Sequence, residues 1–77
     1  MISKEDTIYE AKNKIKAFDI LGPAYIQYDS KIIKIHKYTE GNSDFKYELK
    51  DGILNLDEIT PEGKKRMKAN DYMRGLQ

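Results

Sequence analysis

FKYELKDGILNLDEI, residues Phe45 to Ile59, reads as two strands joined by a tight turn. Apolar and polar residues alternate on both sides of Asp51-Gly52, a dipeptide that favours a type I′ hairpin because both positions tolerate positive φ. A two-residue turn there pairs Leu49 with Leu54 and Tyr47 with Leu56, which makes one face of the hairpin apolar.

Working outward, Thr39 to Asp44 (TEGNSD) is a loop by composition. Before it, Tyr25 to Tyr28 and Lys31 to Tyr38 read as a second hairpin around Asp29-Ser30, with a longer loop as the alternative because Asp-Ser is weaker turn chemistry. The two-residue turn sets Tyr28 opposite Lys31, Ile26 opposite Ile33 and Ala24 opposite Ile35. One face then holds Ala24, Ile26, Ile33 and Ile35, and the other Tyr25, Gln27, Ile32, Lys34, His36 and Tyr38. Further upstream, Thr7-Ile8-Tyr9-Glu10 has the T-x-x-E form of a capping box. Ile8, Ala11, Ile15 and Phe18 follow at helical spacing, and the helix should end near Asp19, before Gly22-Pro23.

Downstream, Pro61 fixes its own φ and holds Thr60 extended, so the strand arriving from Ile59 is expected to turn here, with Gly63 taking an angle other residues resist. Lys65 to Met67 offers a short fifth strand, and Ala69 to Arg74 a last helical turn stopped by Gly75. The expectation is a mainly β, α+β fold: a small OB-like antiparallel barrel with an N-terminal helix and a short C-terminal helical turn. One helix on a plain four-stranded sheet is the competing arrangement. Residues 1–77 are expected to form one domain, since a chain this short supports only a thin core.

Hydrophobic residues make up 39% of the chain and charged ones 35%, too apolar for a disordered tail. No apolar run approaches the ~20 residues that span a bilayer. Glu5 and Asp6 follow Met1 closely, leaving no room for the apolar stretch of a secretory signal. The chain has no cysteine, which fits a reducing compartment, so a cytoplasmic location is expected. The net charge of +1 is unevenly placed, with an acidic middle over 39–62 and a basic end over 63–77. A surface polarised in this way can orient a domain against a polyanion.

The adjacent cations Lys64, Lys65 and Arg66 need solvent or an anionic partner, and Lys12 and Lys16 lie off the apolar stripe of the first helix. Read from composition alone, they are a solvated basic edge or an anion-binding one. No catalytic group is expected. His36 is the sole histidine, with no motif placing a hydroxyl or carboxylate beside it. Phosphate-cradling glycine motifs are missing from the sequence, and neither a metal nor any other cofactor is expected.

Glu62-Gly63-Lys64-Lys65-Arg66-Met67, followed by Ala69, Asp71, Tyr72 and Arg74-Gly75, resembles the end of the C-terminal domain of methionyl-tRNA formyltransferases. Upstream, Asn13-Lys14-Ile15-Lys16-Ala17-Phe18, Ala24-Tyr25, Lys31-Ile32-Ile33-Lys34-Ile35 and Asp51-Gly52 with Leu54 are similar to that family's segments in the same order. The resemblance covers about residues 6 to 75. It implies an OB-like accessory domain that touches the tRNA backbone through Lys64, Lys65 and Arg66. Lys12 and Lys16 are possible additions from the helix, and Lys34 and Lys37 from the first hairpin.

In that family, formyl transfer from 10-formyltetrahydrofolate belongs to a separate Rossmann-like domain, no part of which is seen in this chain. The partner implied is therefore tRNA or a formyltransferase catalytic domain. Related domains close the sugar-nucleotide formyltransferases, where a structural or protein-interaction role is implied instead, with Ile20, Leu21 and Ile32 as the contact positions.

Overall fold

A computed structural model of the chain describes residues 1–18 and 22–75. The elements run α1 (Ile8–Phe18), β1 (Ala24–Tyr28), β2 (Lys31–Thr39), β3 (Lys46–Leu49), β4 (Gly52–Pro61), β5 (Met67–Lys68) and α2 (Ala69–Gly75). Every strand pair is antiparallel and the order is β1-β2-β4-β3, with β5 on β4. β3 and β5 divide one edge of β4 between them, at its first and last halves. The sheet curls into a half-barrel, a small OB-like α+β fold. Among the described residues the barrel does not close: β1 and β3 pair with no second strand on their outer sides, and they line a cleft of about 440 Å³.

The capping box of α1 forms as the sequence implies. Thr7 Oγ1 accepts from Glu10 N and Glu10 Oε1 accepts from Thr7 N, both at 3.1 Å. Ala11 and Ile15 are buried and Ile8 packs on the core. The expected end of the helix at Asp19, and the contact positions Ile20 and Leu21, lie outside the described residues.

The β1–β2 hairpin has the expected register, with Ala24, Ile26, Ile33 and Ile35 all buried. Asp29 and Ser30 take φ of 51° and 65°, the left-handed pair that a type I′ turn demands. Past Ile35 the β2–β4 ladder skips His36 on β2 and Asp57 on β4. These compensating bulges bend both strands, as a curled sheet needs. They also shift the inward set from a spacing of two to a spacing of three, Leu56 to Ile59 on β4 and Ile35 to Tyr38 on β2. Tyr38, expected on the outer face, instead packs against the core.

The β3–β4 hairpin differs from the expected one by two residues. Leu49 lies opposite Gly52 and Tyr47 opposite Leu54, so the turn is Lys50-Asp51 and Gly52 opens β4. A shift of two preserves the inward face, and Tyr47, Leu49, Leu54 and Leu56 are all buried. Neither Lys50, Asp51 nor Gly52 takes a positive φ. Contact with α1 is the physical reason. Asp51 Oδ1 accepts from Ile8 N at 2.8 Å, capping the helix across the fold, and a Cβ on Gly52 would stand 3.2 Å from Ile8 Cγ1. Asp51→Ala should therefore destabilise the fold by about 1 kcal/mol in a urea titration, the usual effect of losing a helix cap.

β4 continues through Thr60, extended as expected, and Pro61, two residues past the strand's expected end at Ile59. The chain reverses at Glu62-Gly63, where Lys64 N donates to Pro61 O at 3.0 Å and Gly63 has φ 76°, the third-position angle of a type II turn. β5 forms at Met67–Lys68, starting two residues and ending one residue later than expected, and α2 covers its end of the half-barrel with Ala69 and Tyr72 buried. Phe45 joins the halves of the core: its ring centroid is 4.8 Å from that of Tyr28 on β1 and 5.9 Å from that of Tyr72 on α2. Buried Ser43 holds the 39–44 loop down by donating to Leu56 O at 2.6 Å and accepting from Phe45 N at 3.0 Å. Ile2, unremarkable in the sequence, is fully buried, with its N–H donating to Tyr25 O at 2.8 Å.

A candidate nucleic-acid interface

Outward-facing side chains of β2 and β4, the exposed side of α1 and the turn before β5 bring most of the sequence-derived cations onto neighbouring ground. Ile15, Lys16, His36, Lys37 and Tyr38 line a groove of about 340 Å³ between α1 and β2. Its floor is apolar and its rim basic. Lys12 Nζ stands 5.2 Å from the Tyr38 ring centroid and Lys16 Nζ 5.9 Å, within cation–π range. Lys12 is also held by Glu40 at 2.8 Å, so part of its charge is already answered.

A second hollow, of about 310 Å³, lies where the type II turn leans on β2; Lys34, Thr60, Pro61 and Lys64 are among its walls. Glu62 Oε1 accepts from Ile32 N at 3.0 Å and fixes the turn to the sheet. His36 of the groove and Thr60 of the second hollow are joined by a hydrogen bond of 2.7 Å between Nε2 and Oγ1. Lys65 is exposed on the same turn but lines neither hollow.

Glu58 was given no role in the sequence reading. Its carboxylate takes Lys37 Nζ at 3.4 Å, Arg66 Nη2 at 3.0 Å and Lys68 Nζ at 3.4 Å. Burial alone would raise its pKa, but hydrogen bonds from Lys68 and Lys37, with further help from Arg66, hold it below the ordinary carboxylate value. Lys68, in turn, is raised by Glu58 and by Asp57. The bulge is responsible for this meeting. An unbroken register would set Lys37 against Asp57, whereas the observed one sets Lys37 against Glu58.

Six of the seven cations expected at the site fall into connected groups, and Lys65 joins none of them. Lys12, Lys16 and Lys37 gather at the groove, Arg66 joins Lys37 through Glu58, and Lys34 and Lys64 share the hollow. Lys14, also off the stripe of α1, is used elsewhere: it pairs with Asp6 at 2.7 Å and ties down the N-terminal segment. That hydrogen bond, over the opposing effect of burial, lowers the pKa of Asp6. Among the described residues no group of three potential ligands is placed to hold a metal ion. No described helix is long and apolar enough to cross a membrane.

The fold and this face together define a small OB-like module with a cation-lined outer surface. Its sequence is similar to part of the methionyl-tRNA formyltransferase of Corynebacterium diphtheriae, with 42% identity over 59 residues that cover 74% of this chain. The chain is thus related to a region of a formyltransferase, and the matched stretch is 18% of that relative's length. No family profile matches the chain, and no solved structure matches it.

Proposed function

We propose that this chain is an accessory tRNA-binding module of the kind that forms the C-terminal domain of methionyl-tRNA formyltransferases. Residues 1–77 act as one unit in a cytoplasmic enzyme, and formyl transfer belongs to a catalytic domain with which the module works. The observation that supports this most is the joining of the cation groups into one surface by the His36–Thr60 hydrogen bond and the Glu58 ion pairs. Lys16, Lys34, Lys37, Lys64, Lys65 and Arg66 contact phosphate there, and Lys12 contributes in part because Glu40 already engages it. Such contacts position a nucleic acid without reading its bases.

Titration of the full chain with tRNA tests this reading. Dissociation constants on the order of 10⁻⁴–10⁻⁶ M near physiological salt are expected, tightening as salt falls. The log–log salt slope should be roughly −0.9 for each phosphate neutralised. Absence of binding at low salt would sink the proposal.

A further inference from the structure

Glu58 stands in the middle of the cation face, and its position in the sheet is unusual. It lies directly opposite Lys37 on β2 and directly opposite Lys68 on β5, so cations flank it on both sides of β4. Arg66 closes the third side, with Nε donating to Glu58 Oε1 at 3.0 Å. The carboxylate side chain is only 21% exposed, while those of Lys37, Arg66 and Lys68 are at least half exposed. Their charged ends turn in to an anion carried by the protein itself.

A carboxylate and a phosphodiester offer the same cations the same thing, a pair of oxygens sharing one negative charge. We infer that Glu58 is an internal competitor for phosphate and a specificity-determining residue of this face. The inference rests on the polyanion-binding reading above and adds how that binding is restrained. A phosphate that engages Lys37, Arg66 or Lys68 must first displace Glu58, so exchanging one anion for another gains little. A polymer presenting phosphates to Lys16, Lys34 and Lys64 at the same time gains enough to make the exchange. Isolated anions are rejected, and extended ones are retained.

The test compares the full chain with Glu58→Gln, using tRNA at about 50 mM salt. Glu58→Gln should bind about five- to tenfold more tightly, with a salt slope steeper by about one phosphate equivalent, ~0.9. Glu48→Gln is the control. It makes the same change in net charge, but Glu48 is exposed on β3 beside the cleft that neither hollow shares, and it makes no ion pair among the described residues. Glu48→Gln should change affinity less than twofold. Glu58→Thr, suited to a strand, serves as a second variant with the same expected direction, and circular dichroism melts confirm that both fold.

Unchanged or weaker binding by both Glu58 variants would overturn the inference, as would an equal gain from Glu48→Gln. Should the unaltered chain fail to bind while Glu58→Gln binds, the tRNA reading falls and the competitor role stands. If neither binds, both fall.

Discussion

Replacing Phe45 with alanine should bring the chain close to unfolding at ambient temperature. The ring is fully buried, stands between Tyr28 of β1 and Tyr72 of α2, and its backbone carbonyl accepts from Leu56 N at 3.0 Å. A closed barrel would hold β1 to its opposite edge with a ladder of hydrogen bonds. Here no strand pairs with that edge of β1, which takes a hydrogen bond from Ile2 N at Tyr25 O, and side-chain contact across the interior joins it to the far side. Truncating a buried Phe to Ala typically costs about 3–5 kcal/mol, from lost transfer energy and the cavity left behind. A domain of this size has about 4–12 kcal/mol in all, at roughly 0.05–0.15 kcal/mol per residue. Urea denaturation followed by circular dichroism should show the midpoint falling by half or more, whereas Phe45→Leu should recover most of the loss. A shift of less than 1 kcal/mol would show that the open seam is held by something other than this aromatic cluster.

The second large effect concerns binding. Lys16, Lys34 and Lys64 form no ion pair with a carboxylate among the described residues, so their charge is available to a ligand. Changing all three to serine should weaken tRNA binding at 50 mM salt on the order of 10²-fold and reduce the salt slope by up to about 2.7, that is, ~0.9 per lost phosphate contact. Thermal stability should barely change, because exposed charges contribute roughly 0–1 kcal/mol. Lys4 and Lys46 line the cleft between the outer edges of β1 and β3, away from both hollows. Changing those two to serine should leave affinity within about twofold once the salt response is considered. Equal losses from the two sets would mean that net charge, and not the cation face, governs binding.

Much of the architecture can be read along the chain because it depends on neighbours in sequence. The T-x-x-E box closes on itself within a turn of helix, and the β1–β2 register follows from two residues that can both adopt positive φ. Apolar alternation assigned the inward face of β3 and β4 correctly even though the turn between them lies elsewhere, because a displacement of two leaves every side chain on its own side. The candidate site was legible as a set of cations near position 65, on the helix and on β2. Its centre was not. Glu58 looked like one more acid in an acidic middle, and only its sheet neighbours make it different.

Local sequence by itself therefore determined the first helix, the hairpin strands, their inward faces up to the bulges and which cations are on offer. Tertiary structure decided the rest. Gly52 marks close approach to Ile8 and not a left-handed turn, since the space beside α1 and the cap from Asp51 outweigh the dipeptide's own preference. The paired bulges at His36 and Asp57 curl the sheet, turn Tyr38 to pack against the core and set Glu58 between Lys37 and Lys68. Strand propensity carries no signal for such a shift, because the energy that selects it comes from filling a curved interior with residues far apart in the chain.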